Sequence, residues 1–122
     1  MSLSMSAYTT TEHLRKQVDF DVDEYEHLHF WCNHPSLHEQ MRQIYDDKGG
    51  VDFDFNCVSV ALNKSDISRL ERAITTDALP TCVFPVFDDI TDESTKADDL
   101  LFIANARKAI ASGLTVIYSA WW

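Results

Sequence analysis

Apolar and polar residues alternate in several short segments of this chain, and a period of two is typical of a half-buried β-strand. Pro85 has no backbone N–H, so the segment at residues 81–87, which contains it, is predicted to be an edge strand or to contain a bulge. Residues 18–23 (VDFDVD) and 51–55 (VDFDF) also alternate, and the first of these predicts an additional N-terminal strand. The strands of the main sheet are predicted at residues 28–32 (LHFWC), 57–62 (CVSVAL), 81–87 (TCVFPVF) and 115–122 (TVIYSAWW).

Three other segments repeat apolar residues with the period of a helix. The first is predicted to begin at Ser36, which forms a capping box with Glu39 three residues later. The second is predicted to begin at Ser65 and Asp66, and the third spans roughly 96–112. The apolar stripes of the first two helices consist of Leu37, Met41, Ile44 and Tyr45, and of Ile67, Leu70 and Ile74.

The order strand, helix, strand, helix, strand, helix, strand predicts a single compact α/β (α+β) domain. In this fold a sheet of about four strands packs against three helices, over residues 18–122. Residues 1–17 are rich in Ser and Thr and show no clear period, so we predict a mobile N-terminal arm. The length of 122 residues leaves too little chain for a second core.

The formal net charge of −10 is concentrated in two stretches. Residues 19–26 contain five acidic residues and no Lys or Arg, and residues 88–99 contain six acidic residues and one Lys, so each sums to −5. The rest of the chain is balanced. Repulsion from phosphates disfavours direct binding of nucleic acid or an anionic membrane, whereas a basic protein surface is a suitable partner. Two solvated loops or strand faces are the alternative interpretation.

The remaining composition indicates a cytoplasmic protein. No apolar run approaches the roughly 20 residues of a membrane-spanning helix, and the start of the chain lacks the basic and apolar regions of a secretory signal. An odd number of cysteines without a C-x-x-C pair predicts reduced, buried thiols at Cys32, Cys57 and Cys82.

Four histidines lie close together in the sequence, at His27, His29, His34 and His38. His27 and His29 are predicted to share one face of a strand. Imidazoles from adjacent elements can bind zinc or a similar divalent metal. H-E-x-x-H is absent, however, and histidines that bond to the backbone are the simpler interpretation.

No other pattern indicates catalysis. The chain lacks a G-x-S-x-G elbow and the Walker, Rossmann and EF-hand patterns, so the sequence favours a protein that is not an enzyme and needs no cofactor. The terminal tryptophans are the remaining candidate. One of Trp121 and Trp122 is expected to face the core and the other to face outward, and we predict Trp122 as an aromatic anchor for a partner.

The second part of the chain contains LHEQMRQIY followed by KGG, then FNCVSVAL, DISRLERAI and FIANARKAI, and it ends in GLTVIYSAWW. Through these motifs, residues 28 to 122 resemble a family of small proteins encoded by bacteriophages and prophages. The resemblance implies phage origin and a host-cytoplasm setting, and it implies no activity. Residues 1–26 are longer than in the family pattern, and residues 88–99 are more acidic.

Three functions are therefore considered. The first is a non-enzymatic binding protein that modulates a host or phage protein, with DNA mimicry as its most specific form. Its binding residues are predicted to be Asp19, Asp21, Asp23, Asp88, Asp89, Asp92, Glu93 and Trp122. The alternative is a small metal-dependent enzyme or metal-stabilised module that uses His27, His29, His34 and His38. The oligomeric state is open, and a structural phage component is a third expectation.

Overall fold

The computed structural model describes residues 2–83 and 85–122, which form four strands and three helices. Neighbouring strands are antiparallel, and the sheet order is β2-β1-β4-β3. The predicted single α+β domain, with four strands and three helices, is confirmed. The elements are β1 (Ser4–Thr10), β2 (Glu26–Cys32), α1 (Pro35–Asp47), β3 (Ser59–Leu62), α2 (Lys64–Thr75), α3 (Thr95–Ala111) and β4 (Thr115–Trp121).

Residues Ser4–Thr10 form a strand of the sheet, β1, so the prediction of a mobile N-terminal arm over 1–17 is wrong for these residues. This strand lies between β2 and β4 and pairs with both of them. Leu3, Met5 and Ala7 are fully buried on the face that packs against the helices. The short alternation in SMSAYTT was hidden because Ser and Thr separate its few apolar residues.

The predicted strand at 18–23 does not form. Val18 makes one isolated antiparallel bridge to Val60, and the Asp19 N–H donates to the Ser59 carbonyl at 3.0 Å. Asp19 then adopts a φ of 54°, which ends the extended conformation. Asp is a poor strand former, so the alternation at 18–23 was not enough to hold a strand.

The prediction of a third strand, at 81–87, is also wrong. The described residues of this segment form no strand, and Phe84 lies outside them. Pro85 cannot donate to a ladder. With β1 gained and this strand lost, two helices follow each other directly, and the order becomes β-β-α-β-α-α-β.

The helices bury the stripes that the sequence predicted, and all seven stripe residues of α1 and α2 are buried. Two helix starts differ from the prediction. Helix α1 begins at Pro35 with His34 at the N-cap position, so Ser36 lies inside the helix and forms no capping box, and the Glu39 carboxylate pairs with Arg42. Helix α2 begins one residue earlier, with a capping box between Asn63 and Asp66.

Two of the motifs that carry the resemblance have structural roles. A Cβ on Gly50 would lie 2.3 Å from the ring of the buried Tyr45, so only glycine fits there. The Oδ1 atom of Asn56 accepts the backbone N–H of Trp122 at 3.3 Å. The KGG turn therefore follows the C-terminal end of α1 and packs against Tyr45. Asn56 of the FN motif binds the backbone of the last residue, Trp122.

Candidate functional site

The cysteines are not in the core, so the prediction of buried thiols is wrong. Cys32 and Cys57 are exposed, and Cys82 is half-buried. Cys32 pairs across the sheet with Ser4, on the face opposite the helices, because its neighbour Trp31 pairs with the buried Met5. The alternation of LHFWC gave the period of the strand correctly but did not reveal which face the helices cover.

A register shift separates the first two histidines. His29 pairs with the buried Ala7, whereas His27 pairs with Tyr8, which lies on the other face of β1. Cross-strand partners share a face, so the prediction that His27 and His29 share one face is wrong. His27 is exposed, while His29 packs against the helices.

Two histidines each contact one of two consecutive aspartates near the start of α3. The Nε2 atom of His29 lies 2.9 Å from Asp98 Oδ2. The Nε2 atom of His34 lies 2.8 Å from Asp99 Oδ2, and the other oxygen of Asp99 accepts the Trp31 indole N–H at 3.1 Å. Asp99 is only 2% exposed. Its two donors compensate for the cost of burying a carboxylate.

His38 belongs to a different environment, in the aromatic core. Its Nδ1 atom lies 2.7 Å from the Tyr118 hydroxyl, and the rings of Phe55, Phe87 and Trp122 surround it. Burial, with a smaller contribution from the charge of Arg42, lowers the pKa of His38 to about 4. Burial likewise raises the pKa of Tyr118 well above its ordinary value. The His38 imidazole is therefore neutral near pH 7.

The structure does not bring the four histidines together. They have separate surroundings in β2, at the start of α1 and in the core. Among residues 2–83 and 85–122, no group of three or more His, Cys, Asp or Glu side chains is placed to hold a metal ion.

The first acidic stretch is tied to the body of the domain. The Asp19 carboxylate accepts the Tyr45 hydroxyl at 2.5 Å and the Val51 N–H at 3.3 Å. The backbone N–H groups of Asp23 and Glu24 donate to a carboxylate oxygen of Glu12 at 2.7 and 2.6 Å. Asp21 is exposed, as is the Asp23 side chain. Asp19 is thus a structural residue of this stretch.

The second stretch contains the acidic loop, which we define as residues 88–94. The side chains of Asp88, Asp89, Asp92 and Glu93 are all exposed. Hydrogen bonds from Thr91 lower the pKa of Asp89, and hydrogen bonds from Ser94 lower that of Asp92. Asp89 and Asp92 therefore stay ionised at neutral and mildly acidic pH.

Exposed aliphatic side chains accompany the acidic loop. Val83, Val86 and Ile90 are 78%, 73% and 60% exposed. The segment is nevertheless attached to the domain, because Phe87 is buried and the Ile90 N–H donates to the Asn33 carbonyl at 3.2 Å. The loop thus presents apolar and anionic groups side by side on a fixed base.

Glu24 of the first acidic stretch and the acidic loop of the second lie at opposite ends of β1. Glu24 accepts the hydroxyl of Thr10 at the end of this strand, whereas Asn33, which contacts the acidic loop, bonds to Leu3 just before its start. A strand of seven residues at about 3.4 Å per residue separates them by roughly 20 Å. The two stretches therefore do not form one continuous site.

The terminal tryptophans divide between core and surface, in the opposite sense to the prediction. Trp122 packs edge-on against the rings of His38 and Phe87. Trp121 is 48% exposed. Trp122 is therefore a core residue, and the outward-facing tryptophan is Trp121.

A cleft separates the C-terminal half of β2 from the acidic loop and the first turn of α3. Its volume is about 410 Å³, and Phe30, His34, Asp92 and Asp98 are among its lining residues. The sequence predictions included His34 and Asp92 as candidates but missed Phe30 and Asp98. An apolar residue on an edge strand and an aspartate in the first turn of a helix give no local signal of a site.

Comparisons of the chain with protein-family models, curated proteins and solved structures return no match. None of the helices formed by the described residues combines the length and the apolar character that crossing a membrane requires. The candidate site is therefore interpreted from its own geometry.

Proposed function

We propose that this chain is a non-enzymatic binding protein whose acidic loop contacts a basic surface of a partner protein. The observation that carries this proposal is the connection between α2 and α3. Nineteen residues separate these helices, and the described ones form no helix or strand. Connections of this length without secondary structure are uncommon and are usually functional or disordered, and this one is attached to the core.

The composition of the connection indicates the chemistry of its partner. Residues 76–94 contain five acidic residues and no Lys or Arg. Such a surface attracts basic groups and repels phosphates. The exposed Val83, Val86 and Ile90 supply the apolar area that a stable contact needs. A basic protein partner fits this combination better than a nucleic acid or a membrane does.

The bacteriophage resemblance supplies the setting of the proposal. A phage or prophage protein in the host cytoplasm would bind a host or phage protein, and a nucleic-acid-binding protein offers the required basic groove. The separation of the two acidic stretches favours a local contact by the acidic loop over mimicry of a long DNA duplex. The stretch at 19–26 then contributes to solubility and to the fold.

The test compares two neutralised variants of equal net charge. Partners are captured from host lysate on the wild-type chain and identified by mass spectrometry, and the affinity of the purified partner is then measured. The loop variant carries Asp88→Asn, Asp89→Asn, Asp92→Asn and Glu93→Gln, and the control variant carries Asp21→Asn, Asp23→Asn, Glu24→Gln and Glu26→Gln.

The proposal expects the loop variant to lose binding and the control variant to keep it. Wild-type binding should also weaken as salt is added, because exposed charges are screened. Equal loss in both variants would indicate a general charge effect and contradict the proposal. Binding that is retained in the loop variant would also contradict it.

A further inference from the structure

We infer that the free edge of β2 accepts an extended, basic segment of the partner protein as a fifth strand of the sheet. The inference rests on the proposed function and specifies how the contact is made. In this mode of recognition the backbone of an extended peptide pairs with an exposed sheet edge, and its side chains alternate between the two faces of the sheet. The two edge strands of this sheet are β2 and β3.

The two edges of the sheet differ in whether another segment covers them. The edge of β3 is covered by residues 17–19, which form backbone hydrogen bonds with Ser59 at 3.0 Å and with Ala61 at 2.8 Å. Among the residues that the structure describes, no group outside β1 bonds to the backbone of Glu26–Cys32. Proteins usually protect an edge with Lys, Pro, a bulge or a covering segment. Residues 29–32 contain neither Lys nor Pro and keep a regular register, so this part of the edge is open.

The backbone groups of Phe30 and Cys32 point towards this open edge. In an antiparallel pair every second residue bonds to the neighbouring strand, and the residues between them face away from it. The Asn33 N–H donates to the Leu3 carbonyl at 2.8 Å, so Trp31, two residues earlier, also directs its backbone groups towards β1. The N–H and C=O groups of Phe30 and Cys32 are therefore available to a further strand.

The cleft beside β2 leaves room for this strand. Residues 30–32 of β2 line one side of the cleft, and residues 90–92 of the acidic loop and the first turn of α3 line the other. Its volume of about 410 Å³ is within the range of ligand pockets. The Ile90 N–H donates to the Asn33 carbonyl at 3.2 Å and closes one end of the cleft. Phe30 and Cys32 are exposed, so the cleft is open on the face opposite the helices.

Charge complementarity identifies the occupant of the cleft. Asp92 and Asp98 line the side that faces β2, and they belong to the stretch 88–99, which has a net charge of −5. A second copy of this chain, paired edge to edge, would bring its own acidic loop beside this one, and the like charges would repel each other. A basic segment of another protein is attracted instead.

The two faces of the sheet determine the side-chain pattern of the segment. A residue opposite Phe30 lies on the face away from the helices, where the exposed ring offers an apolar contact. A residue opposite Trp31 lies on the helix side, where Asp92 and Asp98 line the cleft. A segment that alternates apolar and basic residues therefore fits the edge.

The first experiment measures amide hydrogen exchange of the labelled chain by NMR, with and without a short peptide of alternating lysine and valine. In the free chain the amides of Phe30 and Cys32 should exchange fast, and that of Trp31 slowly. The peptide should slow the exchange of Phe30 and Cys32 at least about tenfold and leave Trp31 unchanged. Slow exchange of Phe30 and Cys32 without the peptide would indicate pairing with a second copy and overturn the inference. No slowing with the peptide would also overturn it.

Modified peptides test the backbone pairing directly. In an antiparallel added strand with its lysines on the helix side, the valine amides face β2 and the lysine amides face away from it. N-methylation of two valines should therefore weaken binding about tenfold or more, whereas N-methylation of two lysines should leave binding largely unchanged. Equal weakening would contradict strand addition. A peptide with glutamate in place of lysine should not bind, and equal binding would contradict a basic occupant.

Two variants at one position test the same hydrogen bond from the side of the chain. Phe30→Pro and Phe30→Ala both remove the aromatic ring, but only proline removes the backbone N–H. Proline is tolerated on an edge strand where this N–H faces solvent, and thermal unfolding checks the fold of both variants. Peptide binding should be about tenfold weaker in Phe30→Pro than in Phe30→Ala. Equal affinities would contradict the inference, and the methylated peptides test the same bond if the proline variant is unstable.

Failure of strand addition can be distinguished from failure of the proposed function. If the acidic-loop variant loses the partner while Phe30→Pro and Phe30→Ala bind it equally, the acidic loop is the contact and strand addition is wrong. If Phe30→Pro loses the partner while Phe30→Ala and the acidic-loop variant keep it, strand addition is right and the proposed role of the acidic loop is wrong.

Discussion

The two ends of helix α1 meet the two acidic stretches in different ways. At the C-terminal end, the Asp19 carboxylate joins a closed network with Tyr45 and Val51, and Gly50 packs under the Tyr45 ring. At the N-terminal end, His34 contacts one buried aspartate, while the residues of the acidic loop are exposed. Two stretches of equal formal charge thus differ: Asp19 of the first is bound into the fold, whereas the acidic loop lies on the surface.

Acidification tests the core between these two ends and should have the largest effect. The pKa of His38 is about 4 in the folded chain, against an ordinary value of 6.5. The unfolded chain therefore binds the proton first, and stability present above pH 6.5 is lost progressively as the pH falls towards 4. The expected loss is about 3 kcal/mol.

This prediction is measured by urea unfolding at pH 7 and pH 4, together with an NMR titration of the His38 ring. In a His38→Gln variant, the part of the acid dependence due to this ring should disappear. A His38 ring that titrates near 6.5 in the folded chain would show that its burial has no such cost.

Replacing Gly50 tests the closed end of α1. In Gly50→Ala the new methyl group overlaps the Tyr45 ring, and overpacking of this kind costs about 2–3 kcal/mol of unfolding free energy. Gly49→Ala is the control, because Gly49 has a φ of 89° but open space around it, and only backbone strain of about 1 kcal/mol is expected. Equal losses in chemical denaturation would show that backbone conformation, and not the contact with Tyr45, requires glycine here.

Removing one carboxylate from the first acidic stretch tests its structural role more gently. Asp19→Ala leaves the Tyr45 hydroxyl and the Val51 N–H without an acceptor and should cost about 1–2 kcal/mol. Asp21→Ala, two residues away and exposed, should change the unfolding free energy by less than about 0.5 kcal/mol. If both variants are equally stable, Asp19 belongs with the solvated charges.

The smallest effect on stability is expected for the acidic loop. Its fourfold neutralised variant should unfold within about 0.5 kcal/mol of the wild type, because Asn and Gln keep the acceptor oxygens and only repulsion between exposed charges is lost. Circular dichroism during thermal unfolding measures this. A large destabilisation would mean that the acidic loop, like Asp19, is part of the fold, and the contrast between the two ends of α1 would disappear.

The local elements of this fold could be read from the sequence because they depend on neighbouring residues. The stripes Leu37–Met41 and Ile67–Leu70 lie on one side of their helices whatever surrounds them. The two charged stretches were also visible, and four of the acidic residues of the second stretch lie on the exposed acidic loop. The candidate site was predictable only in part, since His34 and Asp92 were candidates while Phe30 and Asp98 were not.

Tertiary structure decided which pieces meet. Ser4–Thr10 became an inner strand through pairing with β4, more than a hundred residues away, and no local pattern specifies such a partner. The shift in register between β1 and β2 separated His27 from His29 and left Leu28 without a partner. The packing of α3 against this part of the fold brings two aspartates to two histidines far from them in sequence.

By itself, the sequence determined the three helices, the strand at the C-terminus and the position of the charge along the chain. Hydrophobic period and charge are properties of the chain, so they can be read without knowing what covers each face. Only the tertiary structure decided that Cys32 faces solvent, that Trp122 is in the core, and that Glu24 and the acidic loop lie at opposite ends of β1. Burial and proximity depend on contacts between distant segments, and these contacts exist only once the sheet has formed.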